Sequence, residues 1–104
     1  MKFSERVDAA ADIISDPDRW TRGQFEDAQG RVCALGALRK AFGGKPNVGS
    51  CLSGDYYKAV GFIHKMIRSE LKIPYLDHVN DTRGREAAIA VLRDAAARLR
   101  KWGF

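Results

Sequence analysis

Cysteine is scarce in this chain, with Cys33 and Cys51 the two among 104 residues. A disulfide framework of the kind that staples small exported domains is therefore excluded as the organising device. Both thiols are expected to be free, and both belong to a residue type that favours the core. Long apolar runs are missing as well. None approaches the roughly 20 residues that span a bilayer, so no membrane association is expected. The opening Met1-Lys2-Phe3-Ser4-Glu5-Arg6 carries charge where an export signal would be apolar. Together these absences point to the cytoplasm. Neither internal repeats nor low-complexity segments occur, which excludes solenoid and linker architectures.

What is present is the composition of a packed globule, 45% hydrophobic and 30% charged, too apolar for wholesale disorder. A chain of this length forms one core, so residues 1–104 are expected to be a single domain. The net charge is +5, and it is unevenly placed. Residues 1–30 hold four basic and seven acidic groups, a balance of −3, while residues 31–104 hold fourteen and six, a balance of +8. Such asymmetry favours an anionic partner.

Four helices and one hairpin are expected along the chain. Ser4 caps a first helix to about Ser15, with an apolar stripe of Val7, Ala10, Ala11 and Ile14, and Pro17 stops it. Two short apolar stretches around Gly30, within residues 20–35, read as a small β-hairpin. The second arm runs into a helix over residues 35–42, ended by Gly43-Gly44. Ser53 caps the strongest helix, residues 54–72. Its stripe is Tyr56, Val60, Ile63, Ile67 and Leu71, widened by Phe62 and Met66. Residues 75–81 read as a loop. A last helix, capped by Asp81 or Thr82, runs to about Lys101 with Ala88, Leu92, Ala95, Leu99 and Trp102 on its buried face. The expected fold is thus mainly α, a small α+β domain.

The runs Trp20-Thr21-x-Gly23, Asp27-x-x-Gly30-Arg31-x-Cys33-Ala34-Leu35-Gly36-Ala37-Leu38 and Asn80-Asp81 resemble a family of unknown function, the one numbered 6197, of actinobacteria and their phages. The likeness covers most of the chain, and Cys-Ala-Leu-Gly-Ala-Leu is its most specific part. One departure is Gly84, where the family pattern has Thr opening the last helix, and that puts the start of the helix in doubt. The resemblance implies an actinobacterial or phage origin. It carries no activity.

Several chemistries compete with plainer readings. Cys33 stands at a helix start, where backbone dipoles can lower a thiol pKa. His64 or His78 could serve as base, with Asn80, Asp77 or Asp81 as orienter, which gives a Cys33–His78–Asn80 order of the papain type. About a hundred residues leave little room for a substrate cleft, and the plainer reading packs Cys33 beside Leu35 and Leu38 with Gly36 allowing close approach. Cys33, Cys51, His64 and His78 could ligate zinc, but paired C-x-x-C or H-x-x-x-H spacings are lacking, so no metal or cofactor is expected. The glycines and Lys45 of residues 43–50 lack the order of a phosphate loop.

Arg83, Arg93, Arg98 and Lys101 could form an anion-contacting face on the last helix, which carries six basic residues against Glu86 and Asp94. A solvated helix face is the plainer account. Asn80-Asp81 most simply caps the last helix, and Trp20 with Gly23 anchors the hairpin. The reading favoured overall is a small non-enzymatic binding or regulatory protein, an accessory factor of a phage or mobile element acting on a host protein. Nucleic-acid binding through the basic helix and a cysteine-dependent enzyme are the alternatives.

Overall fold

The computed structural model describes residues 1–48 and 52–104; Cys51, expected to be a core thiol, lies outside the described residues. Among the described residues five α-helices make up the fold: α1 (Phe3–Ser15), α2 (Ala34–Ala41), α3 (Gly54–Glu70), α4 (Leu76–Arg83) and α5 (Arg85–Lys101). A single 3-10 turn, Pro17–Arg19, follows α1. Helix α1 packs along α5 and against α2, while α4 and α3 also rest on α5.

The sequence patterns account for most of these elements. In α1 the stripe Val7, Ala10, Ala11 and Ile14 is wholly buried, and the Glu5 carboxylate accepts the Lys2 backbone N–H at 2.8 Å. Asp16 is extended before Pro17, and its carboxylate accepts from the Asp18 N–H at 2.9 Å, so the chain turns where proline forbids another helical residue. Ser53 caps α3 through the Tyr56 N–H. Tyr56, Ile63 and Ile67 meet Leu92, Ala95 and Leu99 in the core, whereas Val60 and Leu71 are half-buried at its edge.

Long cations tie helix ends to their neighbours. Arg6 donates to the Ala41 carbonyl at 2.9 Å, and Arg85 to the Ser15 carbonyl at 2.8 Å, so each supplies a donor to a helix C-terminus that lacks partners of its own. Ser4, expected as the first cap, is instead the second residue of α1. Its hydroxyl and N–H both donate to the Phe104 carbonyl.

The expected hairpin is not formed: among the described residues there is no β-strand, and the fold is all-α rather than α+β. Val32 alone makes isolated bridges, parallel to Trp20 and antiparallel to Glu26. Its N–H goes to the Arg19 carbonyl at 2.8 Å, and its C=O accepts from Thr21 at 3.0 Å. A ladder needs successive extended residues on both arms. Here Gly23 at φ +83° bends one arm, and the Asp27 carboxylate gathers the Gln29 and Arg31 N–H groups into a tight turn. Only one residue of the other arm remains to pair.

A second correction concerns residues 75–81. They form α4 rather than a loop, because Leu76, Val79 and Asn80 make a buried stripe at helical spacing in which the third member is polar. Gly84, at φ +90°, separates α4 from α5. Neither Asp81 nor Thr82 caps the last helix. Trp102 falls just past the end of α5 and is 73% exposed, not buried.

Truncating Ile67 or Leu92 to alanine should cost about 2–5 kcal/mol each, while Val60→Ala should cost less than either. Chemical denaturation of the three variants checks the order, and an Ile67→Ala or Leu92→Ala variant as stable as the parent would refute the core assignment.

Candidate functional site

Residues that stand far apart in the sequence meet around the amide of Asn80, which has no solvent exposure. Its Oδ1 accepts from the Trp20 indole Nε1–H at 2.7 Å and from the Ala34 N–H at 3.0 Å. Its Nδ2 donates to the Thr21 carbonyl at 3.1 Å and to Asp81 Oδ1 at 3.0 Å. An amide offers two acceptor lone pairs and two donors, so every one is used. Asp81 Oδ1 also accepts the Gly23 N–H at 3.0 Å. Asn80-Asp81 therefore braces the segment after α1 and the start of α2, not the start of α5.

Cys33 is the N-cap of α2, and its Sγ accepts from the Gly36 N–H at 3.4 Å. Gly36 is required by close approach, since a Cβ there would stand 2.2 Å from the Phe25 carbonyl oxygen. Cys33 forms part of a small cleft of about 90 Å³ with Gly23, Gln24, Phe25, Asp77 and Asp81. Burial pushes its thiol pKa up, and the Asp81 and Asp77 carboxylates push the same way. The Gly36 and Leu35 N–H groups oppose them without prevailing. The helix start thus does not activate this thiol.

His78 is outside that lining. It is exposed, with its ring edge-on to Tyr75 at 5.4 Å. His64 also meets Tyr75 edge-on, at 5.5 Å, and is half-buried, with its Nε2 lacking a hydrogen bond. Burial and then the Arg68 cation hold the His64 pKa below its ordinary value. The arrangement does not unite Cys33, His78 and Asn80 into a relay. Among the described residues, no three His, Cys, Asp or Glu side chains gather where they could hold a metal.

The four cations singled out from the sequence separate. Arg93 reaches α1, binding Asp8 at 3.0 Å and Asp12 at 2.6 Å. Arg98 turns towards α3, binding Glu70 at 2.6 Å and Asp94 at 3.1 Å. These contacts raise the pKa of both guanidiniums, and the Arg98 hydrogen bond is the main cause that holds Glu70 below the usual carboxylate value. Arg100 also pairs with Asp8. Arg83 closes α4 rather than belonging to α5. Among the described residues, Arg83 and Lys101 make no ion pair.

A groove between α3 and α5 was not singled out from the sequence. One depression of about 280 Å³ lies among Met66, Ile67, Leu71, Ala87, Ala90 and Val91, with Glu70, Arg83 and Asp94 around it. A second, of about 330 Å³, is lined by Phe62, Lys65, Met66, Ser69, Glu70, Arg98 and Trp102. Met66 and Glu70 wall both, and the Glu70–Arg98–Asp94 ion pairs form the saddle between them. Along the groove α5 advances from Ala87 to Trp102 as α3 recedes from Leu71 to Phe62, so the two helices run antiparallel. The sequence did hold a signal: Phe62 and Met66 widen the α3 stripe beyond one face, opposite small residues on α5.

The chain belongs to DUF6197, a family of unknown function, whose profile matches residues 2–98. No match was found among curated proteins or among solved structures.

A raised thiol pKa means less thiolate at neutral pH than in an unperturbed cysteine. In a Cys51→Ser variant, Cys33 should therefore alkylate at pH 7.5 at least tenfold more slowly than in the denatured chain, and the rate should still climb above pH 9. Folded-state alkylation as fast as in the denatured chain would contradict the environment described.

Proposed function

We propose that this chain is a non-enzymatic binding protein that engages a protein partner through the groove between α3 and α5. The observation that carries this reading is the groove itself, two depressions along two 17-residue helices that expose apolar side chains on either side of an ion-paired saddle, with a largely exposed tryptophan at the lip. Concave apolar surface rimmed by charge is what protein recognition uses, and tryptophan is over-represented among the residues that dominate binding energy. No helix among the described residues is long and apolar enough to cross a membrane. A cytoplasmic setting draws its support from Cys33, which is a free thiol. Small size and the phage distribution that the resemblance implies support a partner in the host of a phage or mobile element.

The nucleic-acid reading draws on Arg83, Arg93, Arg98 and Lys101. Two of these are already compensated by carboxylates, and a guanidinium so engaged offers little counterion release to a phosphate backbone. Reversing Arg93 would moreover set a carboxylate against Asp8 and Asp12 and strain the α1–α5 contact. Arg83→Glu/Lys101→Glu is the cleaner test.

A photocrosslinking residue at position 90, in cells of the native host, should capture one discrete protein, and the same residue at the exposed Asp18, which lines neither depression, should not. Duplex DNA should bind only weakly at about 150 mM salt. Crosslinks to nucleic acid at position 90, or submicromolar DNA binding lost in Arg83→Glu/Lys101→Glu, would contradict the proposal.

A further inference from the structure

We propose that the occupant of this groove is a short amphipathic helix with acidic residues flanking its apolar stripe, an inference that rests on the groove reading above. Three observations set the chemistry. The first is length. The α3 wall from Phe62 to Leu71 covers nine residue steps, about 14 Å at 1.5 Å each, and the α5 wall from Ala87 to Trp102 fifteen steps, about 22 Å. That matches about three turns of helix, enough for apolar anchors at i, i+3 or i+4, and i+7.

The second is the texture of the walls. Ala87 and Ala90 keep one side shallow, so a partner backbone can approach closely. Met66, 8% exposed, is unbranched and adapts to the shape of an inserted side chain. Trp102 offers a broad ring at the far end, beside Phe62.

The third is charge. Four ionised groups at the saddle and rim are Glu70, Asp94, Arg98 and Arg83, with Lys65 facing the second depression. Arg98 binds both carboxylates, at 2.6 and 3.1 Å, which answers one of their two negative charges and leaves a single one at the saddle. Lys65 and Arg83 make no ion pair among the described residues, and they lie towards opposite ends of the groove. The five groups together carry a net charge of +1, positive towards the two ends, in keeping with the net +5 of the chain. A partner helix with carboxylates beside its apolar stripe meets Lys65 and Arg83 as its anchors descend. A basic helix meets like charge, which disfavours the encounter.

The test uses two fluorescein-labelled twelve-residue helical peptides with the same leucine stripe, one flanked by Glu and one by Lys, titrated with the full chain by anisotropy at about 150 mM salt. The Glu-flanked peptide should bind at least tenfold more tightly. Ala90→Gln, a bulkier neutral polar side chain at an exposed position, should weaken binding of that peptide at least fivefold. Lys65→Glu/Arg83→Glu should invert the preference, with melting curves confirming that each variant is folded. Equal affinity for the two peptides, still lost in Ala90→Gln, would overturn the acidic helix and leave the groove as the docking surface. Binding unaffected by Ala90→Gln would overturn both. Failure of the Glu-flanked peptide to bind, or a dimer in sedimentation that Ala90→Gln dissociates, would overturn the acidic helix in favour of a different occupant.

Discussion

The primary amide of Asn80, with no solvent exposure, joins three parts of the chain that have no continuous secondary structure in common. Through it α4 holds the indole of Trp20, the carbonyl of Thr21 and the first N–H of α2. A buried amide left partly unsatisfied is costly, and one with all four bonds made fixes a unique arrangement. The residues before α2 have no sheet to order them, since Val32 pairs at single points only. Their order comes from scattered backbone bonds, such as Val32 to Arg19 and Cys33 to Phe25, and from side chains: Asn80 on one side, Asp81 on Gly23, and Asp27 closing its own turn. The α2 start, Cys33 and the narrow cleft beside it are consequences of that bracing.

Electrostatics elsewhere in the molecule follow a similar logic of internal use. The excess of cations in the C-terminal part and the excess of anions in the first thirty residues meet across the α1–α5 contact, where Arg93 and Arg100 take Asp8 and Asp12. Each exposed pair stabilises by well under about 1 kcal/mol, so their effect is on orientation and on the surface potential rather than on stability. What they remove is a continuous basic face on α5. What they leave is charge at the edges of the α3–α5 groove.

Much of the helical architecture was legible because it rests on apolar periodicity. The α1 stripe was read whole and the centres of the α3 and α5 stripes with it, while Ala59 went unnamed and Val60, Leu71 and Trp102 lie at the edge or outside the core; the Ser53 cap and the Gly43 stop follow from local backbone chemistry. Residues 20–35 were misread because two short apolar arms around a glycine satisfy a hairpin pattern without revealing that Gly23 and the Asp27 turn consume one arm. Helix α4 was missed because a buried stripe position is filled by Asn80, and polar residues at 77, 80 and 81 imitate a loop. The same residue thus hid both an element and the contact that organises the site. The runs Trp20-Thr21-x-Gly23, Gly30-Arg31-x-Cys33 and Asn80-Asp81, singled out by resemblance, meet in space, although nothing in their spacing announced it. The groove left a fainter trace, an α3 stripe too wide for one buried face.

If Asn80 organises the region, removing its amide must release the three groups it holds at once. In Asn80→Ala, the Trp20 indole N–H, the Ala34 N–H and the Thr21 carbonyl lose their partner, at a cost of about 3 kcal/mol or more in total. Amide and indole hydrogen exchange followed by NMR, alongside chemical denaturation, reads both effects. The account predicts that exchange of the Trp20 indole and of Ala34 accelerates well beyond that of α1 and α3, with stability reduced by that amount. Unchanged protection at Trp20 and Ala34, with stability within about 0.5 kcal/mol of the parent, the range of an ordinary surface change, would contradict it.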